Sequence, residues 1–162
     1  MRVLVVSSED RFCRETYMLL QDTEDITAVG TTEGGEEITS LIRQLEPNLI
    51  LLDLDLTPWD PCDMVAHITE QHPDTKILVL GSSGQGQVVL NALRKGAQGH
   101  LIKGASLPDE IVTAIHAVSR GESVIGPAVA GAILDELSYR YQLARGRRPP
   151  APTRENPTTT GQ

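Results

Sequence analysis

Apolar residues along this chain fall into short β-branched runs that alternate with stretches of helical spacing. Val3-Leu4-Val5-Val6 is too brief for a helix and apolar on both faces, as a buried parallel strand is. Phe12, Cys13, Tyr17, Leu19 and Leu20 then recur near helical spacing, with Ser7-Ser8-Glu9-Asp10 as the polar corner before them and Asp10 as the natural cap. Ile26-Thr27-Ala28-Val29-Gly30 reads as a second strand. Gly34-Gly35 opens a helix carrying Ile38, Leu41, Ile42 and Leu45 on one face, broken by Pro47. Leu49-Ile50-Leu51-Leu52-Asp53 is the most apolar run in the chain, and it ends on a carboxylate. Asp60 followed by Pro61 predicts a capped helix start, because the cap accepts free amides and proline needs none. That helix carries Met64, Val65 and Ile68 and stops before Pro73.

The pattern then repeats. Lys76 to Leu80 predicts a fourth strand, and Val88, Leu90, Ala92 and Leu93 a helix ended by Gly96. A short fifth strand is predicted from Gly99 to Lys103. A fifth helix runs from Ser106 to Arg120, with Pro108 in its first turn. Five strand–helix repeats predict an α/β fold, a flavodoxin-like doubly wound parallel sheet with helices on both faces. Ala128 to about Leu143 predicts one more helix, a C-terminal extension in which Ala128, Val129, Ala132, Ile133 and Leu137 form an apolar stripe. The expected organisation is a domain over residues 1–122, a linker and helix over 123–143, and a disordered basic tail over 144–162.

Charge sharpens this picture. Up to Tyr139 the chain has 9 Lys and Arg against 21 Asp and Glu, whereas the remainder has five arginines and one glutamate. A body that acidic repels nucleic-acid phosphates, so only the tail has the charge to meet them. No apolar run approaches the roughly 20 residues of a membrane span, and the N-terminus lacks the pattern of a signal peptide. Two cysteines, Cys13 and Cys62, are too few for a disulfide framework, and both are expected to be small buried thiols. The expected location is the cytoplasm, with no membrane partner.

In a doubly wound sheet, functional groups gather at the carboxyl ends of the strands. There the loops after Val6, Leu52, Leu80 and Ile102 bring Ser7-Ser8, Asp53, Gly81 and Lys103 together. From Arg2 to about Ala128 the chain resembles the receiver domain of two-component response regulators. The carriers are Pro47-Asn48-Leu49-Ile50-Leu51-Leu52-Asp53-Leu54, Ala92-Leu93-Arg94-Lys95-Gly96-Ala97-Gln98-Gly99 and Leu101-Ile102-Lys103. The stretch from Gly121 to Ala130 further resembles the linker that leads to a LuxR-type helix-turn-helix. The resemblance implies that Asp53 matches the phospho-accepting aspartate and Lys103 the lysine that binds the phosphoryl group.

The same resemblance exposes departures. Ser7 and Ser8 stand where the family has two acids that help hold Mg²⁺, and hydroxyls replace such hard charged ligands poorly. Glu9, one residue out of register, and Asp55 are the nearest substitutes. Gly81 stands for the Ser or Thr after the fourth strand, with Ser82 as its substitute. His100 falls at the switch aromatic and is expected as a partly exposed imidazole. Gly34-Gly35 and the turn from Gly81 to Gly86 match no phosphate-binding fingerprint. His67 and His72 are not spaced as a zinc pair.

Asp53 is thus open to two readings: a nucleophile toward a phosphodonor, or a buried carboxylate paired with Lys103. The reading adopted is an atypical receiver in bacterial signal transduction and transcription regulation. It would act by contact with a protein, either a histidine kinase or a second copy in a homodimer. Mg²⁺ is expected to be weak at best, with no other cofactor and no enzyme activity. No DNA-binding domain is expected in this chain. The alternatives are a competent receiver phosphorylated on Asp53 and a small-molecule-binding flavodoxin-like protein.

Overall fold

Alternate apolar side chains of four strands close over one pair of helices, and those between them are buried on the opposite face of the sheet. In a computed structural model, which describes residues 1–148 and residue 150, the strands are β1 (Arg2–Val6), β2 (Thr27–Thr32), β3 (Leu49–Asp53), β4 (Lys76–Gly81) and β5 (Gly99–Ile102). They form one parallel sheet in the order β2-β1-β3-β4-β5. The helices are α1 (Asp10–Gln21), α2 (Ile38–Leu45), α3 (Pro61–Gln71), α4 (Gly86–Lys95), α5 (Leu107–Ser119) and α6 (Pro127–Ala144). This is the expected flavodoxin-like fold.

Val3, Val5, Leu49, Leu51, Leu78, Leu80 and Leu101 pack with Cys13 and Leu20 of α1 and Ile111, Ala114, Ile115 and Val118 of α5. Period-two alternation sends Leu4, Val6, Ile50, Leu52, Ile77 and Val79 to the opposite face, where all are fully buried. Both faces are covered, which is why these strands read as continuous apolar runs rather than alternating ones.

Two helix starts show local chemistry at work. Asp60 accepts hydrogen bonds from the amides of Cys62 and Asp63 with Pro61 in the first turn, as the sequence predicts. The cap of α1, by contrast, is Glu9 and not Asp10, and its side chain caps nothing. The Glu9 amide is instead turned toward the Ser7 hydroxyl, to which it donates at 3.1 Å, so the helix begins one residue earlier than Asp10 as cap would require. Cys13 is buried as expected, whereas Cys62 is only half-buried.

The chain divides into a unit over Met1–Ile125 and a second beginning at Gly126. Within the second, the large apolar residues left exposed are Leu134, Leu137, Tyr141 and Leu143. Leu134, Leu137 and Tyr141 lie on one helical face, and the expected stripe shares only Leu137 with it. Most of the expected tail lies outside the described residues. Among the described residues no helix is long and apolar enough to cross a membrane.

Candidate functional site

Three strands of the α1/α5 face end in a polar residue two positions beyond their last core residue. Val5 is followed by Ser7, Leu51 by Asp53 and Leu101 by Lys103, so alternation points all three side chains the same way. Parallel pairing then brings them together at the carboxyl edge.

Asp53 is 2% exposed, and both of its oxygens are occupied. Lys103 Nζ lies 2.5 Å from Oδ1, which also accepts the Asp55 amide at 2.9 Å. Ser7 donates its hydroxyl to Oδ2 at 2.7 Å. A buried carboxylate with such partners is satisfied without any ligand. Lys103 also reaches Asp55 Oδ2 at 3.3 Å and sits 5.6 Å from the ring centroid of Phe12. Burial pushes the Lys103 ammonium down, but the bonds and charge of Asp53, then of Asp55, outweigh it and hold the pKa above the ordinary lysine value.

The remaining predicted residues divide. Asp55 is exposed yet bonded at both oxygens, to Lys103 and to Gln85 Nε2 at 2.9 Å. Ser8 is exposed and takes no part in the pocket, and Glu9 contributes only its backbone. Ser82 offers its backbone amide rather than its hydroxyl. Gly81 is buried, and a Cβ there would meet Gln85 Oε1 at 3.1 Å, Leu54 Cδ1 at 3.2 Å and Val89 Cγ2 at 3.4 Å.

His100 corrects the sequence reading. It is 4% exposed, not a surface imidazole, and its Nδ1 has no partner. The cause is Val124, which bridges to Gly99 and accepts the His100 amide at 2.8 Å, closing the free edge of β5. Burial lowers the pKa of the ring.

As a Mg²⁺ site the pocket fits poorly. Its two carboxylates are bridged by one ammonium, and among the described residues no three His, Cys, Asp or Glu side chains converge. Gln85 and Phe12 escaped the sequence reading. Phe12 carried only the signal of an apolar position at helical spacing, shared with Tyr17, whereas Gln85 carried none.

Comparison with known proteins agrees with this geometry. The model of the response regulator receiver domain matches residues 3–116. The oxygen regulatory protein NreC of Staphylococcus carnosus is 29% identical over 83% of this chain, and the response regulator GacA of Pseudomonas protegens 32% over 80%. The chain spans only 62% and 60% of the lengths of these two relatives. The isolated REC domain of RcsB from Salmonella enterica serovar Typhimurium, in the apo form, superposes with a TM-score of 0.73. That match covers 82% of this chain and 98% of the other at 18% identity, a likeness of fold. A carboxylate at the end of β3, a lysine after β5, this strand order and a family match over most of the sheet have one common meaning: the chain belongs to the response regulator receiver domains of bacterial two-component signalling.

Proposed function

We propose that this receiver signals by protein contact from a pocket that its own side chains satisfy, with little or no Mg²⁺-dependent phosphorylation. The observation that carries this reading is the full occupation of Asp53 by Lys103, Ser7 and the Asp55 amide. A carboxylate attacking a phosphodonor needs a free oxygen and nearby positive charge for the transferred group. Here the one lysine is shared between two acids. Ser7, where the family places an acid, donates a hydrogen bond instead of offering charge to a metal. Receiver domains are in general signalling modules rather than enzymes, they meet histidine kinases, and they can dimerise. A kinase or a second copy is therefore the partner of choice.

The test is mass spectrometry of the full chain after incubation with phosphoramidate and Mg²⁺. Transfer would form a bond from an Asp53 oxygen to phosphorus and release ammonia. The expected result is negligible mass gain, and a melting temperature that millimolar Mg²⁺ does not move. Stoichiometric labelling that disappears in Asp53→Ala would establish the competent receiver instead. What favours that second reading is the retention of Asp53 and Lys103 in contact.

A further inference from the structure

Gln85 is the cap residue of α4, yet its side chain makes no bond to the helix that it begins. It folds back over the strand ends instead. Its Oε1 accepts the Ser82 amide at 2.7 Å, and its Nε2 donates to Asp55 Oδ1 at 2.9 Å. A carboxamide has an acceptor at one corner and a donor at the other, so it can bridge a backbone N–H and a carboxylate at once. A hydroxyl is too short for that span, and a second carboxylate would repel Asp55.

The bridge lies where residue 81 would otherwise act. The Oε1 atom stands 3.1 Å from the position of a Cβ on Gly81, within the space that a side chain there would claim. Asp55 in turn shares Lys103 with Asp53. A continuous polar path therefore runs from Asp53 through Lys103 and Asp55 to Gln85, the Ser82 amide and the first turn of α4. No other side chain ties the β4–α4 turn to the pocket in the hydrogen bonds of the described residues.

We infer that Gln85 is the positioning residue through which the Asp53–Lys103–Asp55 cluster holds the β4–α4 turn. It supplies from four residues downstream the link that Gly81 cannot make. A change at Asp55 or Lys103, such as a partner contacting that exposed rim, reaches the start of α4 by way of this carboxamide. The inference concerns the same pocket as the proposed function but does not depend on whether Asp53 accepts a phosphoryl group.

The test is a double-mutant cycle read by amide hydrogen exchange in the full chain, without phosphodonor. Gln85→Ser keeps a good cap for α4 but cannot reach either partner, so it separates linkage from helix capping. The Ser82 amide and the first turn of α4 are expected to exchange about fivefold faster in Gln85→Ser, the scale of one lost hydrogen bond. Asp55→Ala should produce the same acceleration at Ser82, and the double variant no more than either single. Additive effects, or unchanged exchange at Ser82 in Gln85→Ser, would overturn the inference. Circular dichroism confirms that each variant is folded, and Gln85→Ala serves as the second variant should Gln85→Ser fail to fold. Phosphoramidate labelling of the wild type decides the proposed function separately, whatever the exchange shows.

Discussion

Ser7 donates its hydroxyl to Asp53 Oδ2 at 2.7 Å across 46 residues of sequence, in a fully buried contact. The same oxygen of Ser7 accepts the Glu9 amide, so one hydroxyl both satisfies the pocket acid and orients the entry to α1. Removing it in Ser7→Ala leaves a buried charged oxygen without its donor. The expected loss is about 2 kcal/mol, the range for hydrogen bonds to charged groups. Urea unfolding with an unchanged m-value would check it.

Replacing that hydroxyl by an acid should create a metal effect where the wild type shows none. Ser7→Asp sets a third carboxylate beside Asp53 and Asp55 with only Lys103 to offset them, so metal-free stability falls. Millimolar Mg²⁺ should then restore it in a saturable way, visible as a rising melting temperature. Ser8→Asp should do neither, because Ser8 is exposed and outside the pocket.

Lys103 is expected to be the most sensitive polar position. Lys103→Met strands a buried carboxylate, which costs about 3 kcal/mol, and Lys103→Met with Asp53→Asn should recover much of that. In the wild type the raised pKa of Lys103 gives a defined pH effect. A group whose pKa is raised on folding contributes fully below its unfolded value near 10.5. That contribution disappears as the pH climbs through the higher folded value. Thermal melts at alkaline pH should show a loss that is absent in the double variant.

His100 works in the opposite direction. Its pKa is lowered by burial, so its neutral form suits the folded state and its contribution is complete above the ordinary value of 6.5. Stability should decline as the pH falls below that value toward the depressed folded pKa. His100→Phe should flatten this slope and add about 1 kcal/mol at neutral pH by removing the orphaned Nδ1. An unchanged slope in chemical denaturation from pH 7 to 5 would assign the decline to other groups.

The exposed face of α6 gives a prediction about assembly. Leu134, Leu137 and Tyr141 present apolar surface at helical spacing, and Glu136 and Arg140 pair at 2.8 Å on the same helix. Sedimentation of the full chain should depend on concentration, and Leu134→Glu with Leu137→Glu should abolish that dependence without loss of helicity.

The five strands, the start of α3 and the place of Asp53 at a strand end were legible because they follow from short-range rules, whereas the matching of Asp53 and Lys103 to family positions came from resemblance. A run such as Leu49 to Asp53 is buried on both faces and can be little else than a central strand. Asp60-Pro61 carries its cap within three residues. The meeting of Ser7, Asp53 and Lys103 was likewise implicit, since period two carries each past its last core residue to the same face.

What only the tertiary structure decided lies where a partner is distant in sequence and carries no pattern. His100 reads as a surface ring until Val124 covers the edge of β5. Gln85 looks like an indifferent loop residue, yet it spans Ser82 and Asp55, the latter 30 residues away. Local sequence records the periodicity that buries apolar side chains. It holds no record of which exposed amide or carboxylate a flexible polar side chain will find, because that depends on distances set only when the strands have paired.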